Sequence, residues 1–375
     1  MKLAPCSWLV LVAVCACDGL AGAPEPAGAH AEGVQRQGGK ERAPCAAASV
    51  AELQACIDGL ADGGGTVALA AGDYSLSRHV QIPHGGIHVR GAGVGATRIE
   101  VADGACQAGF VIGSLALHFD QVGVVEDVSI RGLSIDGNKR GNACCETYVG
   151  SGLTHLYVNG ISVFNARDVT IADVSIRDAR SGGIVADRGV RNLAISNVVI
   201  QSSAWDAVAL YQTRGSRVQD SLFEDNAAAG ISLDWYADDN LFSGNLVLRN
   251  GAGERGLDVT ACPNALLATA SPGIFSAGCS DNVFVGNVIA GSGSNGIQLG
   301  LGSDKRTGSS RNYLGRNVVR QSAEFGVWLV GDASRENVGV GMLYTGNRLG
   351  SLLRTATTMA GAQHYLDIGA QTEDR

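Results

Sequence analysis

Short apolar runs separated by polar breaks return at a fixed interval of 24 residues between Asp168 and Asn240. The copies read Arg167-Asp168-Val169-Thr170-Ile171, Arg191-Asn192-Leu193-Ala194-Ile195, Gly215-Ser216-Arg217-Val218 and Asp239-Asn240-Leu241-Phe242. A second apolar segment follows each (Val174/Ile176, Val198/Ile200, Leu222, Leu246/Leu248), then a third, such as Gly183-Ile184-Val185-Ala186 or Gly230-Ile231-Ser232-Leu233. Three short strands per repeat, rich in Val, Ile and Leu and broken by Gly, Asn, Asp and Ser, predict a β-solenoid of about 24 residues per coil. Offsets of 41 residues (Asp127 to Asp168), 42 (Asn240 to Asn282) and 30 (Asn282 to Asn312) mark insertions into the same period. An Asn column (Asn192, Asn240, Asn282, Asn312) reads as a structural ladder along the stack.

Ahead of the repeats, Ser49-Val50-Ala51-Glu52 has the form of a capping box. Val50, Leu53, Ile57 and Leu60 follow at helical spacing, so a short amphipathic helix is expected to close the open end of the core. Then come Gly63-Gly64-Gly65-Thr66-Val67, Ala71-Gly72-Asp73-Tyr74 and Gly91-Ala92-Gly93. With Ser134-Ile135-Asp136-Gly137-Asn138, this order resembles the pectate-lyase-like right-handed parallel β-helix superfamily over about residues 48 to 340. The resemblance implies an all-β, single-stranded, three-sheet parallel β-helix with an N-terminal capping helix. For function it implies only a range: lyases, hydrolases, epimerases and non-catalytic repeat proteins.

Composition narrows the partners. A net charge of −8 argues against nucleic acid. Residues 1–17 read as an export signal, with Val14-Cys15-Ala16-Cys17 resembling a lipobox that would lipidate Cys17. A competing small-residue cleavage site lies at Ala21-Gly22-Ala23. Residues 18–44 read as a flexible linker and 45–375 as the β-helix domain with a cap at each end. The expected protein is therefore exported: a surface or outer-membrane lipoprotein touching the membrane only through its anchor, or a periplasmic or secreted monomer. Export makes disulfides plausible among Cys45, Cys56, Cys106, Cys144, Cys145, Cys262 and Cys279. Cys45 with Cys56 would pin the first helix, one of the vicinal Cys144-Cys145 pair would reach Cys106, and Cys262 with Cys279 would staple an insertion.

Candidate chemistry gathers on the third strand. Its copies begin at Gly160, Gly183, Ala207, Gly230, Gly256, Gly296 and Gly326. The second and fourth places are Ile, Leu or Val for the most part, so the third and fifth are expected to face water. Those places collect Asp187, Tyr211, Asp234 and Asp258, with Trp235, Gln298 and Trp328 nearby and Arg188, Arg214 and Arg255 at strand ends. Insertions flank them: residues 137–158 before the strand, 260–280 and 300–310 after it. Loops on both edges of one face make a groove, and carboxylates with aromatic platforms suit a sugar chain. Asp187, Asp234 and Asp258 are candidate acids, bases or Ca²⁺ ligands, Tyr211 an assistant, and His155 a candidate base. The arginines, Trp235, Gln298 and Trp328 are candidate substrate contacts. A solvated strand face is ordinarily polar, so plain solvation explains the same column.

Gly182-Gly183-Ile184-Val185-Ala186-Asp187 is similar to a strand carrying an active-site Asp in alginate C5-epimerases. The companion Tyr-Gly-Phe-Asp-Pro-His run falls on Asn159-Gly160-Ile161-Ser162-Val163-Phe164, without its Tyr, Asp and His, so epimerisation by that site is not expected. The sequence supports two readings: an exported polysaccharide lyase or glycoside hydrolase, or a non-catalytic glycan-binding or structural surface lipoprotein.

Overall fold

The computed structural model describes residues 43–113, 124–145, 158–260, 262, 267–302, 306–331, 334–355 and 365–373. Cys17 and the rest of the expected export segment, nearly all of the expected linker, and His155 lie outside them. All described residues belong to one compact unit, Arg42–Arg375.

The chain is a parallel β-helix. Strand pairs join residues one coil apart: Thr170 pairs with Ala194, Ala194 with Arg217, Arg217 with Leu241, and Leu241 with Val283. The first and second strands of each coil share one bent sheet; the third strands form a separate ten-stranded sheet. Each coil is turned at corners spaced five residues apart by residues in the left-handed region: Asp239, Gly244 and Arg249 in one coil, Asp281, Gly286 and Gly291 in the next. Asn, Ser or Met follows most of these corners, which gives each coil its polar-apolar beat.

Inward residues stack in columns. Ile161, Ile184, Val208, Ile231, Ile274, Ile297 and Val327 lie in register on the third sheet and are fully buried. Phe242 and Phe284 stack with ring centroids 4.8 Å apart. Each such side chain contributes about 1.5–3 kcal/mol relative to exposure. The predicted cap is present as helix Val50–Gly59, which buries Leu53, Cys56 and Ile57 over the first coil. The Ser49 hydroxyl accepts from the Glu52 N–H, and the Glu52 carboxylate reaches back to the Ala48 N–H.

The Asn ladder forms, but in three rows. The Asn240 N–H donates to Asn282 Oδ1, Asn282 to Asn312, and Asn312 to Asn337, each at 3.0 Å. A second row runs Asn245–Asn287–Asn317, and a third includes Asn226–Asn250. Asn192 is not in the ladder: it occupies the left-handed corner itself, is exposed, and donates to Asp168. Its place is taken by the following residue of the corner, Ser216 one coil on.

Among the described residues there are three disulfides: Cys45–Cys56, Cys106–Cys145 and Cys144–Cys262. The expected Cys262–Cys279 staple is absent, and Cys279 is a buried free thiol. The reason is topological. Cys262 lies in an insertion before the third strand, whereas Cys279 follows that strand's far end and packs into the core.

Candidate functional site

The third sheet carries the site on its outer face. Residue Asp187 ends strand Ile184–Asp187, Tyr211 ends Val208–Tyr211 and Asp234 ends Ile231–Asp234. Tyr211 pairs directly with Asp234, and Ala186 with Leu210, so the three terminal side chains follow one another up the stack. At about 4.8 Å per coil, Asp187 and Asp234 are roughly 10 Å apart at the backbone.

The outer face is drier than the alternation predicts. Val111, Phe164, Val185 and Ala209 form a second apolar cluster with Ala108, outside the coil, and Tyr211 packs against it. Ser162 and Ser232 on the same face are also buried. These places do not face water, and the consequence is electrostatic. Asp187 is 3% exposed, and burial lifts its carboxyl to about 6 despite the Arg188 N–H that donates to Oδ1 at 2.6 Å. Burial, then the negative charges of Asp206, Asp234 and Asp187, holds the Tyr211 phenol well above its usual value, so it stays a proton donor. The Ser232 side chain hydrogen-bonds to that phenol.

A further carboxyl, Asp206, lies just before strand Val208–Tyr211. Its Oδ1 accepts the Ala229 N–H of the next coil at 2.8 Å, and burial raises its carboxyl to about 7. Nothing in its one-residue context marks this; only the coil register does.

Asp234 is half-buried and accepts the Trp235 N–H at 2.7 Å. Trp235 and Tyr236 then both adopt left-handed backbone, φ +53° and +64°. Bulky aromatic residues pay about 1–2 kcal/mol each for that conformation. They are 44% and 49% exposed, and the Trp235 ring tilts against Tyr211 with centroids 6.3 Å apart. Together with Asp234, Ala277, Gly278, Gly302 and Thr307 they line a shallow pocket of about 130 Å³.

Other expected members stand elsewhere. Asp258 is not in the column. The strand that follows Ile231–Asp234 is Ile274–Ala277, and Gly256-Leu257-Asp258-Val259 imitates its pattern inside an insertion closed by an Ala252–Ala270 antiparallel bridge. Asp258 is exposed there and accepts from the Thr260 amide and hydroxyl. The insertion therefore enters before the third strand, beside residues 137–145, instead of leaving after it. Arg255 lies on the same exposed loop. Arg214 is paired with Asp238 at 3.0 Å. Arg188 directly follows Asp187 in left-handed backbone. Gln298 and Trp328 are paired with each other in register, two and three coils above Ser232, and both are half-buried. With Asp258 removed, the proposed Asp187/Asp234/Asp258 calcium set does not assemble, and no group of three or more His, Cys, Asp or Glu fit to hold a metal occurs among the described residues.

A single parallel coil stack with one conspicuous outer face defines a right-handed β-helix protein. The family model "Right handed beta helix region" matches residues 116–341, and the chain belongs to that family. Mannuronan C5-epimerase AlgE1 of Azotobacter vinelandii is 30% identical over 211 residues, 54% of this chain and 14% of the epimerase, so the chain spans a small part of that relative's length. Among solved structures, the A-module of Azotobacter vinelandii mannuronan C-5 epimerase AlgE4 superposes with TM-score 0.62 at 19% identity, covering 90% of this chain and 96% of the module. PfbA, a surface adhesin of Streptococcus pneumoniae, gives 0.56 at 16% identity, over 88% of this chain and 91% of the adhesin. These two likenesses show the fold alone.

Proposed function

We propose that the protein is an exported carbohydrate-active enzyme that cleaves a glycosidic bond in the groove over Asp187, Tyr211 and Asp234, by hydrolysis with inversion. One observation carries this reading: a buried carboxyl, Asp187, that keeps its proton up to about pH 6 shares a column with a more exposed carboxylate, Asp234, two coils on. Two carboxyls in unlike environments are the acid and base of glycoside hydrolysis. The backbone separation of roughly 10 Å lies close to the ~6.5–9.5 Å carboxyl spacing that leaves room for a water molecule. Asp187 gives its proton to the leaving oxygen as the C1–O bond breaks. Asp234 takes a proton from the water that attacks C1, and solvent resets both groups. Tyr211, protonated throughout, donates a hydrogen bond between them. The similarity to mannuronan epimerases supports a polysaccharide as the substrate class. Three disulfides support an oxidising compartment, in line with the export segment and with lipidation at Cys17 as the anchor.

The test is a panel of neutral and uronate polysaccharides, with reducing ends, unsaturated ends and product anomer followed. New reducing ends of inverted configuration, absent in Asp187→Asn and Asp234→Asn, are expected. Unsaturated products would replace hydrolysis by elimination. A second reading, a non-catalytic glycan-binding surface protein, is favoured by one detail: Oδ1 of Asp187 and of Asp234 each accepts the next backbone amide, a structural use. Glycan binding without turnover on any substrate would establish it.

A further inference from the structure

We propose that Trp235 and Tyr236, with the backbone of Gly278 and Gly302 and the Thr307 hydroxyl, form a binding subsite for one uncharged pyranose unit of a glycan, next to Asp234. The inference deepens the glycan-cleaving reading above and rests on it for the identity of the chain that would run through the groove.

Three features point to a ring-shaped ligand with apolar faces and a polar edge. First, two adjacent aromatic residues are held exposed in a backbone conformation that disfavours both. The corresponding corner of the Asp187 coil is Arg188-Gly189, where glycine takes the second position. A solvated corner does not need Trp-Tyr; a stacking platform does. Second, the slot floor is built from Gly278 and Gly302, with the small Ala277 beside them. A Cβ on Gly278 would come within 2.8 Å of Gly302 Cα, so the two backbones lie flat against each other and leave the aromatic wall accessible. Third, hydrogen-bonding groups sit at the rim: the Asp234 carboxylate and the Thr307 hydroxyl, the latter 3.5 Å from the Tyr236 hydroxyl. A pyranose has that pattern, C–H faces for the rings and hydroxyls for the rim. Among the described residues Asp234 is the one charged member of the lining, so a sugar carboxylate placed beside it would meet like charge.

Because left-handed backbone suits glycine, substitution separates ligand binding from scaffold stability. Tyr236→Gly should raise the melting temperature and Trp235→Gly should not abolish folding, while each weakens binding of neutral hexasaccharides about tenfold or more by calorimetry, the loss of one stacked ring. Trp235→Phe should keep most of the affinity. The probes are hexasaccharides of glucose, mannose and galactose, set against hexasaccharides of mannuronate and galacturonate. Neutral probes that bind more tightly than uronates, with that preference reduced in Tyr236→Gly, support the subsite. It is overturned if no neutral probe binds, if uronates bind more tightly, or if the glycine variants leave affinity unchanged. If Asp187→Asn binds normally and the wild type turns nothing over, the catalytic reading fails and the subsite stands. If turnover occurs with KM indifferent to Trp235 and Tyr236, the subsite fails and the catalytic reading stands.

Discussion

Asp187 sets a cost that its proposed role would explain. Its folded-state value, about 6, lies above the ordinary 3.8, so the folded protein holds that proton more tightly than the unfolded chain does. The associated stability is fully present below pH 3.8 and is lost as pH rises through about 6, amounting to about 3 kcal/mol at neutral pH. Asp206, raised to about 7, acts with the same sign and extends the window upward. Asp187→Asn cannot ionise and escapes its part of the loss. Its melting temperature should exceed wild type at pH 8 and approach it at pH 4. If the catalytic reading holds, wild-type turnover should fall above about pH 6, where the acid is deprotonated, and the variant should have none. A stability gain with unchanged turnover would leave Asp187 a merely strained residue.

At the scale of the element, the ladders decide how the coils are held. Each ladder Asn satisfies a corner amide of the preceding coil and a carbonyl as well; Asn282 Nδ2 donates to the Ala237 oxygen at 2.9 Å. Asn282→Ala would leave the Asn240 amide and that carbonyl buried without partners, a loss of about 2–4 kcal/mol in chemical denaturation. The third row shows the converse. Ser292 and Ser322 stand where Asn250 and Asn347 stand in other coils, and their hydroxyls are buried without a partner. They face Gly273 and Gly296 as Asn250 faces Gly230, so there is room for asparagine. Ser322→Asn should stabilise by about 1 kcal/mol; an unchanged denaturation midpoint would contradict the ladder account. Much of this was legible in the sequence. The 24-residue period gives the solenoid, and Asn240, Asn282 and Asn312 announce one row. The five-residue corner spacing was hidden because Asp, Gly, Arg, Gln and Ser all serve at the corner, where backbone conformation matters more than side-chain class. The site was half legible. Asp187, Tyr211 and Asp234 follow from register, but Asp258 was misplaced because an insertion can copy a Gly-Leu-x-Val pattern without pairing. The burial of Asp187 was illegible, since alternation says which residues leave the core and not what packs against them outside.

For the whole molecule, the question is how long insertions stay in place on a stack whose coils contact only their neighbours. The structure answers with a clamp between two of them. Cys144–Cys262 joins residues 118 apart in sequence, and Cys106–Cys145 ties the first insertion to an earlier coil. Beside them Lys139 meets Glu254 at 3.0 Å, with side chains only 12% and 4% exposed. Arg180, 1% exposed, donates from Nε to the Ala143 carbonyl, and Glu254 opposes the loss of charge that its burial favours. Glu254 thus sits beside two buried cations, with Asp178 a more distant partner of Lys139 at 3.9 Å, and removing it should cost more than removing an exposed partner, about 2–4 kcal/mol. Because the array is quasi-one-dimensional, the damage should stay local. In Glu254→Gln, amide exchange should rise across 137–145 and 251–260 while the ladder amides of Asn282 and Asn287 keep their protection. The cysteine pair variant Cys144→Ser/Cys262→Ser should show the same map. Uniform loss of protection would mean that the clamp supports the whole stack, and that the insertions are part of the scaffold instead of walls fastened to it.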